Sequence, residues 1–188
     1  MLVGRSGELG RLDGEVAAAL AGTGGRMLLV GDPGMGKTAL LDALRRRASH
    51  RGVRCVHVRA AQGQQTLPDS LLEDLARVAG WDSEAVSPDQ GWDTQCLAML
   101  RSLTAGSPVL LTVDDCQFAD GDSLATLRTA VERVGPLTLS VVLAAEPRPP
   151  VLRCLAAWPR LVLEPLRSEA AVARSRRRLR QTHAPSRW

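Results

Sequence analysis

Residues 26–38 read RMLLVGDPGMGKT: an apolar run passes directly into a glycine-rich loop and then into a segment of helical periodicity. No other stretch restricts the fold so tightly. RMLLV shows no alternation, as expected of a strand buried on both faces. From Lys37 to Ser49, Leu40, Leu41 and Leu44 recur on one face, with Arg45, Arg46 and Arg47 in the last turns, where cations suit the helix dipole. A buried strand, a tight loop and an amphipathic helix in that order predict an α/β sheet with crossover helices.

The loop itself carries chemistry. Gly31, Gly36, Lys37 and Thr38 satisfy G-x-x-x-x-G-K-[ST] in full. Glycines let successive backbone N–H groups converge on phosphate oxygens, and the helix N-terminus adds partial positive charge. In such a loop the lysine reaches the β- and γ-phosphates and the threonine hydroxyl ligates Mg²⁺. Lys37 is also the chain's one lysine, while every other side-chain cation is arginine or histidine. It stands where a compact ammonium on a flexible stem is wanted.

The remaining chain repeats the strand–helix alternation. Ser6 is expected to cap a helix with Leu9, Leu12, Val16 and Leu20 on its inner face. Strands are expected at 53–59, 108–113, 137–144 and 161–163. Helices are expected from Pro68 through Gly80, at 93–103, at 123–134 and at 151–158, with a loop over 81–91. The reading is a three-layer α/β domain with a mostly parallel five-stranded sheet.

A second motif, LLTVDD, ends the strand at 108–113 with Asp114 and Asp115. A carboxylate at the C-terminal end of a buried parallel strand lies on the ligand-binding edge of such a sheet. Asp114 can therefore hold Mg²⁺, commonly through water, and Asp115 can orient or deprotonate an attacking water. By itself a DD pair is more often a solvated strand end; the phosphate loop upstream gives it meaning.

Leu2-Val3-Gly4-Arg5 with Glu8-Leu9, then GDPGMGKT, then LLTVDDCQFAD, together resemble the ATPase domain of bacterial STAND-type regulators, the AAA-like module at the N-terminus of large LuxR-family transcriptional activators. The similarity covers about residues 2–166. It implies a P-loop NTPase fold with strand order 5-1-4-3-2 and an ATP/Mg²⁺ switch. The implied nucleotide set is Gly4 and Arg5 on the nucleoside side and Gly31, Asp32, Pro33, Gly34, Met35, Gly36, Lys37, Thr38 and Ala39 around the phosphates. Thr38 and Asp114 are the implied metal residues, and Lys37 and Asp115 the catalytic ones. Gln117, Phe118 and Asp120 stand where the family has a His or Gln, a Trp and an Asp, and Leu163-Glu164-Pro165-Leu166 matches its step after the last strand.

Two departures matter. Where the family's fourth strand ends in an arginine that senses the γ-phosphate, LAAEPRPP places Glu146, with Arg148 two residues on as a candidate substitute. A carboxylate there repels a triphosphate. The chain also ends where the family's helical lid, winged helix, sensor repeats and helix-turn-helix would begin, so a shortened regulator is expected.

Charge adds one point. Lys and Arg number 24 against 20 acids, but six arginines follow the last acid, Glu169, and residues 1–173 sum to −2. The basic character belongs to the tail, 167–188, which is expected to be helical at first and then disordered. A solvated helix end, or a tail altered by truncation or frameshift, explains it as well as a nucleic-acid patch does, and direct DNA binding is not expected. Cys55, Cys96, Cys116 and Cys154 form no CxxC pair, and His50, His57 and His183 lack ligand spacing, so zinc is not expected. Trp81, Trp92, Trp158 and Trp188 form no stacking platform. With no signal-peptide pattern and no long apolar run, a cytoplasmic chain without membrane contact is expected.

Two functions stay open. One is an ATP- and Mg²⁺-binding module that hydrolyses ATP slowly; the other is a non-catalytic remnant or interaction module. Nucleotide is the expected partner, with protein partners or self-association through the ATPase domain.

Overall fold

The structure is a computed structural model, and it describes residues 4–82, 90–135 and 138–165. The element order is α1 (Ser6–Leu20), β1 (Gly25–Val30), α2 (Lys37–His50), β2 (Arg54–Arg59), α3 (Ser70–Ala79), α4 (Trp92–Thr104), β3 (Val109–Asp114), α5 (Gly121–Val134), β4 (Leu139–Ala145), α6 (Pro149–Cys154) and β5 (Arg160–Val162). Single 3₁₀ turns at Gln64–Thr66 and Cys116–Phe118 join them.

The five strands form one sheet in the order β2-β3-β4-β1-β5, and every pairing is parallel. This is the expected order read from the other edge. Every residue of β3 and β4 is buried, which accounts for the unbroken apolar runs VLLTV and LSVVLAA. Helices α1 and α2 cover one face through Leu12, Val16, Leu40, Leu41 and Leu44 against Met27, Leu29, Leu110 and Val142. The other face packs Leu28, Val56, Leu111, Val113 and Leu143 under α3, α4, α5 and α6. Each buried leucine or valine contributes about 1.5–3 kcal/mol, so the two apolar layers hold the strand ends in fixed register.

Several boundaries differ from the sequence expectation. Ser6 does not cap α1: it is the helix's first residue, and Arg5 takes the cap position without a side-chain capping bond. Leu20 is exposed, and Ala19 takes the inward position at that end. Helix α3 starts at Ser70, after Pro68. Helix α5 starts two residues early, because the Asp120 carboxylate accepts the Ser123 N–H at 2.8 Å and so fixes an N-cap. Helix α6 runs from Pro149 to Cys154, with proline suiting its first turn, and β5 lies at Arg160–Val162. Residues 83–89 of the expected loop, Leu2, Val3, Leu166, His183, Trp188 and the tail from 167 lie outside the described residues.

Ser140 and Thr112 are polar side chains fully buried within β4 and β3, and both are bonded. Ser140 donates to the Glu15 carbonyl at 2.6 Å, and Thr112 donates to the Val56 carbonyl at 3.3 Å while lying 3.0 Å from His57 Nδ1. Burial pushes the His57 ring below its ordinary pKa, aided by the nearby Arg45 charge.

Candidate functional site

Parallel strands in register bring their C-terminal ends to one edge. Val30 pairs with Ala145 and Val162, Val113 with Leu143, and Arg59 with Asp114. Gly31, Asp114, Glu146 and Arg59 therefore come to the same rim from four different strands.

The glycine loop leaves β1 through Gly31, which donates its N–H to the Ala145 carbonyl at 3.2 Å. A Cβ at Gly31 would lie 3.1 Å from Leu163 Cβ and 3.3 Å from Met35 Cβ, so any larger residue there would require those neighbours to give way by a few tenths of an ångström. Gly34 and Gly36 adopt φ of 79° and 88°, in the left-handed region that L side chains avoid, and nothing crowds the space in front of them. Gly36 is the N-cap of α2, and the helix's first-turn N–H groups, without internal acceptors, open into the same space.

Lys37 is buried, and its ammonium donates to the carbonyls of Gly31 at 2.8 Å and Asp32 at 3.2 Å. Two of its three N–H donors thus brace the loop, leaving a third for an incoming oxygen. Asp32, Pro33 and Gly34 are exposed on the loop's crest, and Met35 is half-buried beneath it. Ala39 is exposed in the first turn of α2.

Thr38 and Asp114 meet directly. The Thr38 hydroxyl donates to Asp114 Oδ2 at 2.7 Å, and Asp114 Oδ1 accepts the N–H of Asp115 at 3.0 Å. Asp114 is fully buried, and these two donors hold its carboxylate at the strand end.

Asp115 stands in a rare left-handed conformation, φ 55°, that turns it off the strand. Its Oδ2 accepts the Nε–H of Arg59 at 2.9 Å, with Nη2 of the same guanidinium 2.8 Å away in an ion pair; its Oδ1 accepts the Gln117 side-chain amide at 3.1 Å. The bond to Asp115 raises the Arg59 pKa above its ordinary value.

Glu146, just beyond β4, is tied twice. Its N–H donates to Gln117 Oε1 at 3.0 Å, and its Oε2 accepts Arg148 Nε at 3.0 Å and Nη2 at 2.8 Å. Arg148 folds back to neutralise Glu146, so the negative end of β4 is masked by its own neighbour.

Arg5 approaches from α1. Its guanidinium is buried, donating to Glu8 Oε1 at 2.6 Å and to the Met35 carbonyl at 3.0 Å. The hydrogen bond from Arg5 holds the Glu8 carboxyl below its ordinary pKa. Gly4, exposed at φ 77°, precedes it. The structure thus places Arg5 against the glycine loop at Met35.

Of the residues the two motifs single out, Thr38 and Asp114 meet through a hydrogen bond, with Lys37 and Asp115 their chain neighbours. Arg59 was not anticipated: the expected strand order already puts β2 beside β3, but the register that sets Arg59 opposite Asp114 is seen only in the structure. Gln117 was marked only by its place after the acidic pair, and its two hydrogen bonds, to Asp115 and to Glu146, are visible only in the fold. Among the described residues no group of three or more His, Cys, Asp or Glu gathers as a metal cluster, and no helix is long and apolar enough to cross a membrane.

A family model described as AAA ATPase domain matches residues 1–143. No curated protein sequence matches the chain. Among solved structures, the chain is similar to Cdc6p from Pyrobaculum aerophilum at 19% identity and TM-score 0.62, covering 88% of this chain and 46% of that one. It is also similar to the Aeropyrum pernix Orc1 protein, solved in complex with DNA, at 22% identity and TM-score 0.58, covering 96% and 50%. A third is AMPPCP-bound DnaA from Aquifex aeolicus, at 18% identity and TM-score 0.53, covering 100% and 54%. The chain spans about half the length of each of these three, and at such identities the likeness is one of fold.

Proposed function

We propose that this chain, which belongs to the AAA ATPase domain family, is a Mg-ATP-binding nucleotide switch that hydrolyses ATP slowly. Family membership implies ATP and Mg²⁺ as ligands in general. The observation that carries the reading for these particular residues is the bond from Thr38 to Asp114, which joins the glycine loop to the acidic strand end.

The local chemistry fits the ligand. An open cradle at Gly34 and Gly36, a buried lysine with a donor to spare and the α2 N-terminus together favour a polyphosphate. Gly31 through Ala39 would hold the phosphates, with Gly4 and Arg5 toward the nucleoside. Thr38 would ligate Mg²⁺ directly and Asp114 through water, the remaining ligands being phosphate and solvent oxygens. Bound there, the ion would offset charge on the β- and γ-oxygens.

Asp115 is the residue to act on water. Its Oδ2 is engaged by the Arg59 guanidinium, whereas Oδ1 keeps a lone pair beyond the one used by Gln117. A water held at Oδ1 would pass a proton to Asp115 as its oxygen bonds the γ-phosphorus and the bond to the departing ADP oxygen breaks. Lys37 would stabilise the charge gathering on the phosphate oxygens.

The finer setting we infer from the three ordered sequence motifs: an ATPase head of a STAND-type LuxR-family transcriptional regulator, occupying about residues 1–166, with a basic tail from 167. A second reading, nucleotide binding without turnover, is favoured by the Arg59 pair on Asp115 and by the carboxylate of Glu146 at the end of β4. Magnesium-dependent phosphate release by the wild type and by Asp115→Asn separates the two. Release above that variant supports the ATPase, and equal traces leave the binding module.

A further inference from the structure

The Gln117 carboxamide uses both of its ends. Nε2 donates to Asp115 Oδ1 at 3.1 Å, and Oε1 accepts the Glu146 N–H at 3.0 Å. The side chain is buried, and Gln65 Nε2 donates to the Gln117 backbone carbonyl at 3.0 Å. One amide plane therefore spans from the acid after β3 to the first residue after β4. It is held from behind by the segment between β2 and α3.

We infer that Gln117 is a positioning residue: it aims the remaining lone pair of Asp115 Oδ1 and couples that aim to the backbone at the end of β4. This rests on the hydrolytic reading of Asp115 above. The geometry gives the reason. With Oδ2 engaged by the Arg59 guanidinium, a water is placed on Oδ1, and the donor that sits on Oδ1 sets the direction of its remaining lone pair. Gln117 is that donor. Its other end is anchored to a backbone N–H, which cannot turn away as a mobile side chain could. A shift of the β4–α6 junction would drag Gln117 with it and re-aim Asp115, so the junction of Glu146, Arg148 and Pro149 becomes a point from which turnover can be adjusted without touching the phosphate loop.

Two substitutions separate this role from simple packing. Gln117→Leu removes both bonds, and a neighbouring cavity of about 590 Å³, lined by Phe118, Leu124, Pro149 and Val151, gives the branched side chain room. Gln117→Glu keeps an acceptor for the Glu146 N–H but has no donor for Asp115. If Gln117 serves only to brace β4, the Glu variant works like wild type; if it positions Asp115, both variants fail alike.

The experiment is Mg-ATP turnover by the full chain and these two variants, with the side-chain amide resonances of Gln117 followed by NMR as Mg-ATPγS is added. Expected is a fall in kcat of tenfold to a hundredfold in both variants, on the order that misplacement of a catalytic group produces. KM should stay within about twofold, since the phosphate loop is untouched. The Gln117 amide signals should shift on nucleotide binding in the wild type and lose that response in Asp115→Ala. Wild-type kcat in either folded variant overturns the inference. If the wild type itself releases no phosphate, the hydrolytic reading falls separately; the amide signals then decide, and their failure to respond to nucleotide overturns the positioning role.

Discussion

The hydroxyl of Thr38 at the start of α2 donates to Asp114 Oδ2 at the end of β3, 2.7 Å away, although 76 residues separate them. That bond closes the rim of the sheet between the phosphate loop and the acidic pair. It makes Thr38 and Asp114 one unit, and the first expectation concerns both.

Thr38→Ala should weaken ATP binding about tenfold in magnesium, close to the loss of one hydrogen bond to a charged group, about 1.5–3 kcal/mol. In EDTA its affinity should match wild type. Calorimetry in the two buffers reads the difference, and a loss of equal size without magnesium would assign Thr38 to phosphate alone.

Arg59 holds Asp115 from β2 across a well-exposed pair. Exposed ion pairs contribute roughly 0–1 kcal/mol, so Arg59→Gln should leave the melting temperature nearly unchanged. By freeing Oδ2, it should raise phosphate release a few-fold without altering ATP affinity. A fall in turnover would mean that Arg59 orients Asp115 rather than restrains it.

Glu15 and Glu8 titrate in opposite senses. Burial raises the Glu15 pKa above its ordinary 4.5, and its Oε2 is buried with no hydrogen-bond partner among the described residues, seated where a Cβ on Gly25 would lie only 2.0 Å away. Because its folded pKa is raised, its contribution is fully present below the unfolded pKa and lost as pH rises through the folded value. Above that folded value the fold carries a desolvated charge, so there Glu15→Gln should raise Tm by about 2–4 °C per kcal/mol regained, with the gain shrinking as pH falls toward the ordinary carboxyl value of 4.5. For Glu8, lowered chiefly by the hydrogen bond from Arg5, stability is present above the unfolded pKa and lost as pH falls through the folded one. Glu8→Gln should therefore flatten the acid limb of the melting profile. Thermal melts from pH 3 to pH 8 check both signs.

Gly36→Ala tests the loop's backbone. At φ 88° an alanine is strained by roughly 1–2 kcal/mol, though no atom obstructs its Cβ. Stability should drop by about that much. ATP affinity should drop further, because relaxation at residue 36 turns the N–H groups of the α2 first turn. Melting and calorimetry on the same preparation compare the two losses, and a loss of stability without a loss of affinity would remove Gly36 from the cradle.

Much of this rim is legible in the sequence, because the strands that carry it are buried on both faces. RMLLV and PVLLTV can be little else, and the glycine loop and DD pair sit directly at their ends, so local pattern and site coincide. Contacts between distant segments are another matter. Arg59 looks like the polar end of an alternating strand until the register of β2 on β3 sets it opposite Asp114. The Arg148–Glu146 pair turns on a backbone reversal after β4 that periodicity does not encode. The start of α5 was in principle readable: Asp120, three residues before Ser123, is a cap whose signal is outweighed by the glycine and aspartate between them. Ser6 has the opposite failing. It looks like a cap, but Arg5 is drawn to the Met35 carbonyl and the helix begins one residue earlier than a serine cap would need, leaving Ser6 inside its first turn.

The central claim is that Lys37, braced on the Gly31 and Asp32 carbonyls, completes a polyphosphate cradle. Calorimetric titration of the wild type and Lys37→Ala with Mg-ATP tests it most directly. The account requires measurable binding by the wild type at micromolar to millimolar strength, as in enzyme–substrate affinities generally, and at least a tenfold loss in a folded variant; equal affinities in the two proteins would contradict it.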